Sequence, residues 1–378
     1  MRAVVALLLL LQSAVAPRQA PVVVWKVDGS GHGRPAIDGG AVYFLTSRHE
    51  VMALDAVKGT ERWRAHTNEP GSATEGSAVV VAGDVVVAGD YNLVAFDRIT
   101  GSFRWRFVPA LGYAPGVYLG GVSRGLVFAG SPAGRVYAIS ATSGDLAWSA
   151  LVNGDGRTTV FQPATDGTDV AAGFSIRSAP NRGGVVVLDP ATGHEEWRAM
   201  FPQAPDPLLG TGSMGNPILV DDLVVATSGD GTVYGFDRAK GFIRWTIRPI
   251  PGFPPVLQGP FPLPDTSGAD YRPLSSAGRT LFVGSLKGPV VAYDLVTVTE
   301  KWRYDDPHSG SVAFGLVSDD RYVYVPYVSG HHVALDQFTG AERWQTPDAQ
   351  DGFLWMAGAI DGRVYLAGGR GGFVAVDR

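Results

Sequence analysis

Several short stretches of this chain carry residue types at spacings that chemistry uses. Gly121-Val122-Ser123-Arg124-Gly125 sets a serine between glycines, as a nucleophile elbow does. That chemistry needs a sharp strand-to-helix turn, and here the segment enters a hairpin, so it reads as a turn. Gly29-Ser30-Gly31-His32-Gly33 is rich enough in glycine to cradle a phosphate, but no helix follows to lend its N-terminal dipole. Asn153-Gly154-Asp155-Gly156 offers about two or three oxygens where calcium takes roughly six to eight, so a polar turn is expected. His331 and His332 are adjacent and would face opposite ways on a strand; a surface loop is expected. The acidic pairs Asp221-Asp222, Asp305-Asp306 and Asp319-Asp320 read as solvated turns. No cysteine is present, which excludes disulfides, a thiolate nucleophile and cysteine metal sites.

The elements that must position these residues are strands. With 50 Gly, 26 Pro, 18% charged and 45% apolar residues in 378, the composition suits many short strands joined by tight turns. A fixed spacing recurs, in which a polar residue is followed eight positions later by tryptophan. The pairs are Asp55 and Trp63, Asp97 and Trp105, Ser140 and Trp148, Asp189 and Trp197, Asp237 and Trp245, Asp294 and Trp302, and Asp336 and Trp344. Glycine usually lies four positions after the polar residue; Val298 takes that place in the sixth repeat. Each such segment reads as a hairpin, with the carboxylate bonded to the turn backbone and glycine supplying a positive φ. A second hairpin precedes each one, as in Asp38-Gly39-Gly40 with Val42 to Leu45. Every repeat is thus four antiparallel strands, and such units arranged around an axis make a propeller. The last repeat ends at Asp377 without its tryptophan strand, whereas Val22 to Val27, carrying Trp25, has no other unit to join. The expectation is an all-β, eight-bladed β-propeller spanning residues 21–378, its last blade closed by the N-terminal strand.

The repeats Ala53-Leu54-Asp55-Ala56-Val57-Lys58-Gly59-Thr60-Glu61-Arg62-Trp63 and Ala334 to Trp344 resemble the tryptophan-docking motif of the pyrroloquinoline-quinone-like (PQQ-like), quinoprotein-type propellers. That motif is Ala-x-Asp-x-x-Thr-Gly-x-x-x-Trp. The resemblance covers nearly all of the chain after its first 20 residues. It implies that Trp25, Trp63, Trp105, Trp148, Trp197, Trp245, Trp302 and Trp344 dock between neighbouring blades. The family includes PQQ-dependent dehydrogenases and non-catalytic propellers, among them a lipoprotein of the outer-membrane barrel assembly machinery. Many of the dehydrogenases carry an adjacent cysteine pair, and they hold calcium with Glu, Asn and Asp and use an Asp base. None of these can be matched to a position here. The resemblance therefore implies a non-enzymatic protein without cofactor, with a dehydrogenase or sensor binding PQQ with calcium, or another small ligand, in the channel mouth as the alternative.

Residues 1–20 read as a secretory signal peptide, with Arg2, the apolar run Ala3 to Leu11 and the small residues Ser13 to Ala16. The run is too short to span a bilayer, and it lacks the cysteine that lipidation would need. An exported, unlipidated monomer, periplasmic or extracellular and without a transmembrane segment, is expected. The net charge of −5 argues against nucleic acid as a partner. The segments joining one repeat to the next carry aromatics, namely Tyr113, Tyr118, Phe161, Phe253, Phe261, Tyr271, Phe314 and Trp355. These rings are candidates either for binding a protein or polypeptide partner of the cell envelope or for covering the central channel.

Overall fold

The computed structural model describes residues 20–68, 78–110, 116–178, 181–203, 210–213, 215–248, 274–285, 288–307, 312, 315–327, 330–346, 354–360, 362–368 and 372–378. Every regular element among them is a strand. The first unit runs Gly31–Asp38, Ala41–Thr46, Glu50–Asp55, Glu61–His66, each strand antiparallel to the next. The same order recurs along the chain. In the described strands the first two units join into one eight-stranded sheet through a single parallel bridge between Arg34 and Ala78. The last unit, Leu354–Ile360, Arg363–Gly368 and Gly372–Asp377, takes its fourth strand from Val23–Val27. Trp25 pairs there with Ala375.

One unit departs from the pattern. Its first strand is broken into Thr158–Val160 and Ala164–Thr165, both pairing with Val170–Ile176. Pro163 in the gap has no amide hydrogen for a ladder. Its carbonyl instead accepts from the Gly121 amide of the preceding unit at 2.8 Å.

The innermost strands touch one another in succession. Gly31–Asp38 lies beside Ala78–Ala82, which lies beside Tyr118–Ser123, then Ala164–Thr165, Ile218–Val220, Leu274–Ala277, Val317–Ser318 and Leu354–Ile360. Leu354–Ile360 lies in turn beside Gly31–Asp38. The apolar core sits between units. Trp25, Tyr365, Phe373 and Ala375 of the last unit pack with Val42, Phe44, Met52 and Leu54 of the first. The Phe44 and Phe373 rings are 4.1 Å apart.

Tryptophan docking follows from the hairpin geometry. Asp55 Oδ1 accepts from the Val57 and Lys58 amides at 3.0 and 2.9 Å, closing the turn that Gly59 completes at φ +70°. A Cβ on Gly59 would lie 2.6 Å from the Trp25 ring, so glycine is required both for the dihedral and for the ring. Trp25 Nε1 donates to Ala56 O at 3.0 Å, one residue past the turn carboxylate. The arrangement repeats for Trp63 on Arg98 O, Trp105 on Ala141 O, Trp148 on Pro190 O, Trp197 on Arg238 O and Trp302 on Gln337 O. Trp245 and Trp344 have no acceptor for their buried Nε1.

The unit with Val298 shows why Trp245 differs. Val298 keeps the turn conformation at φ +56° and packs on the same buried cluster as Trp245, at the position where most other units have a bare glycine. The Trp245 ring lies instead against Gly235 on its own sheet, where a Cβ would come within 2.1 Å. In the other units the residue paired with the docking tryptophan is alanine or valine, as in Ala53 with Trp63 and Val187 with Trp197.

Arginines one position past the turn aspartate add ionic clasps between neighbouring units. Arg98 pairs with Asp38, Arg238 with Asp166 and Asp169, and Arg378 with Asp319 and Asp320.

Candidate functional site

The loops that join units and the turns between each second and third strand emerge at the same end of the sheets. Of the aromatic candidates, Tyr113, Phe253, Phe261, Tyr271 and Phe314 lie outside the described residues. Tyr118 opens the strand Tyr118–Ser123, Phe161 sits in the break before Pro163, and Trp355 lies within the strand Leu354–Ile360. Tyr118 and Phe161 come together with ring centroids 5.4 Å apart, and both are half-buried. The structure thus joins two of the candidates into one ring pair across neighbouring units. Phe201, also in a joining segment, is instead core, 5.0 Å from the Tyr234 ring.

Beneath this end lie buried polar pairs that sequence reasoning missed. His49 Nδ1 meets Asp90 Oδ2, with both side chains almost wholly out of solvent. Thr67 donates its amide and its hydroxyl to His49 O at 2.8 and 3.0 Å, tying the turn to the strand that leaves the unit. His49 and Asp90 are 41 residues apart, close to one repeat. A pairing between equivalent turns of adjacent units was the signal available.

The expectation that His331 and His332 form a surface loop, and Asp305-Asp306 a solvated turn, is corrected on three of the four residues. Both histidines are fully buried, and so is the Asp306 side chain, 3.2 Å from His331 Nε2; Asp305 is exposed as expected. The reason is a tight turn covered by the joining segment. Tyr327 N donates to His331 O at 2.9 Å, and Val312 from the joining segment bridges to Tyr327. The Tyr327 ring stacks on His331 at 4.6 Å and 5°, and burial, with Asp306 nearby, raises its phenol well above its ordinary value. His332 pairs with Pro326 and leaves both ring nitrogens without a hydrogen bond, and burial, with His331 beside it, lowers its imidazole to about 3. Burial of the carboxylate and imidazole in each pair makes these fastenings of the loop end rather than groups presented to a substrate.

The other sequence candidates fall on strands and in turns. Gly121 to Ser123 lie on a strand, with Arg124 and Gly125 at positive φ in the hairpin turn. Gly31 to Gly33 lie in a strand. Asp155 Oδ1 is taken by the Arg157 amide and the Thr158 hydroxyl. Asp221 and Asp222 are exposed and pair with Arg279 and Arg244. Among the described residues no group of three or more His, Asp or Glu side chains is placed to hold a metal ion. Nor is any helix among them long and apolar enough to cross a membrane.

Comparison with known proteins gives a consistent result. A family model described as outer membrane protein assembly factor BamB matches residues 18–247 and 181–378. Curated relatives include the serine/threonine-protein kinase AfsK of Streptomyces griseus, 29% identical over 58% of this chain and 31% of that protein. They also include outer membrane protein assembly factor BamB of Xanthomonas campestris pv. campestris, 27% identical over 57% of this chain and 51% of that protein. The matched stretches span from a third to about half of these relatives' length. Among solved structures, BamB from Moraxella catarrhalis has a TM-score of 0.67 at 17% identity, covering 95% of this chain and 100% of that one. Quinohemoprotein alcohol dehydrogenase from Comamonas testosteroni has a TM-score of 0.69 at 15% identity, covering 94% and 75%. At such identities the structural likeness shows the fold alone, a β-propeller.

Proposed function

Because the chain belongs to the family described as outer membrane protein assembly factor BamB, we propose that it is an exported, non-enzymatic scaffold that takes part in assembling proteins of the cell envelope. Its units form an eight-bladed ring closed by Val23–Val27, and it binds a polypeptide partner through the loop end. The observation that carries this reading is the family match itself, which runs in two overlapping stretches from residue 18 to residue 378. The geometry supports it in a second way. Buried pairs such as His49 with Asp90 fasten the loop bases, so that rings such as Tyr118 and Phe161 are held on a rigid mount.

The protein acts here by holding a surface in place. Rings that are half-buried before binding lose little conformational entropy when a partner covers them. The test is site-specific photo-crosslinking in envelope preparations, with the reactive residue at position 118 or 161. Position 99, an exposed turn tip at the opposite end of the sheets, is the control. Adducts with an outer-membrane assembly protein from 118 and 161 but not from 99 are expected. Equal adducts from position 99, or none from either loop position, would refute the assignment. The dehydrogenase alternative is tested separately, by adding PQQ and calcium and following dye reduction with alcohols and sugars; turnover would displace the scaffold reading.

A further inference from the structure

The innermost strands border the central channel, and their described residues are small or apolar almost throughout. They read Ala-Val-Val-Val-Ala, Ile-Leu-Val and Leu-Ser-Ser-Ala at 78–82, 218–220 and 274–277. Among the described residues of all these strands the one arginine is Arg34 and the one carboxylate is Asp38. Asp38, at the end of its strand, is already engaged by Arg98.

Arg34 sits at the bridge to Ala78, where the inner strands of the first two units meet. Its chain neighbours Gly33 and Pro35 are buried, whereas Arg34 itself is open to solvent. It makes no hydrogen bond or ion pair with any described residue. Around it the innermost strands close on one another in a ring, and burial lowers the guanidinium pKa from its ordinary value. An exposed side chain on an innermost strand borders the space that those strands surround. A cation without a partner among the described residues, set between apolar strands, concentrates its field on whatever enters. The guanidinium fork matches two oxygens of one planar or tetrahedral anion.

We propose that the channel holds a small oxyanion, of the phosphate or carboxylate kind, on the Arg34 guanidinium. The site is independent of the loop-end surface, and its failure would leave the scaffold reading untouched. The test uses the full folded chain and its Arg34→Gln and Arg34→Lys variants. Thermal melts and calorimetric titrations are run with sodium phosphate, sodium acetate and, at matched ionic strength, sodium chloride. Phosphate is expected to raise the parent's melting temperature over chloride and to bind at least tenfold more weakly to Arg34→Gln, with Arg34→Lys between. A rise with phosphate alone assigns a phosphoryl group; a comparable rise with acetate assigns carboxylates. In chloride, Arg34→Gln is expected to melt close to the parent's temperature, because no described residue partners the charge that is removed. No anion-specific rise in the parent, or the same rise in Arg34→Gln, overturns the proposal. So does a marked fall in melting temperature of Arg34→Gln in chloride, which would show that the protein itself satisfies the guanidinium.

Discussion

At the scale of single residues, His332 is the side chain whose placement most clearly shapes behaviour in solution. It is fully buried without a hydrogen bond to either ring nitrogen, so the folded state disfavours its protonation. The folded imidazole titrates at about 3, against 6.5 for the unperturbed group. Between those values the unfolded chain binds a proton that the folded chain does not. Stability linked to His332 is therefore constant above pH 6.5 or so and falls as pH drops below it. His332→Leu should flatten the pH dependence of melting between pH 7 and 5, a window above most of the carboxylate range. Thermal melts across that window check this, and parallel profiles for parent and variant would rule it out. The turn carboxylates act lower. The Thr100 amide and hydroxyl hold Asp97, and Arg62 holds Asp55, below the usual carboxylate value. Their contribution is present above about pH 4 and is lost on further acidification.

At the scale of the repeated element, the informative case is the one that breaks the pattern. Val298 occupies a left-handed position that disfavours a β-branched residue, and Gly235 is bare where its counterparts carry a side chain. The two departures compensate: the ring displaced by one finds room over the other. Gly235→Ala alone should destabilise by about 1–3 kcal/mol through overpacking against Trp245. In a Val298→Gly background the ring can return to the neighbouring turn, and the same change should be milder by roughly 0.5 kcal/mol or more. Urea unfolding of the four proteins in the cycle measures that coupling. Strict additivity would mean that the ring does not move between the two seats.

At the scale of the whole molecule, the pairing of Val23–Val27 with Gly372–Asp377 joins segments separated by almost the entire sequence. It covers a strand edge that would otherwise offer unpaired backbone groups. A contact of such long range closes a large loop and should form late in folding. Trp25→Ala should destabilise by roughly 3–5 kcal/mol, like other buried aromatic deletions. Deletion of residues 21–28 should yield aggregated protein, whereas removal of residues 1–20 should leave the melting temperature unchanged. Size-exclusion chromatography with thermal melts tests all three. A truncation at 28 that stays monomeric and melts with the parent would show that closure contributes nothing.

The features legible in the sequence are those set by short-range geometry. The eight-residue step from turn aspartate to tryptophan is a single hairpin, and every part of it, from the Asp55 bonds to Gly59, lies within about a dozen residues. The leftover strand with Trp25 could be assigned because the last repeat lacked one. What only the tertiary structure decided depends on contacts that reach beyond a single hairpin turn. His49 meets Asp90, His331 meets Asp306, and the Trp245 ring turns to Gly235 because of packing that no local pattern encodes. The adjacent histidines looked like a polar tip because sequence shows where a turn is but not what covers it. Arg34 stands out only when the innermost strands are brought together and the lack of a free carboxylate among their described residues becomes a property of a shared space.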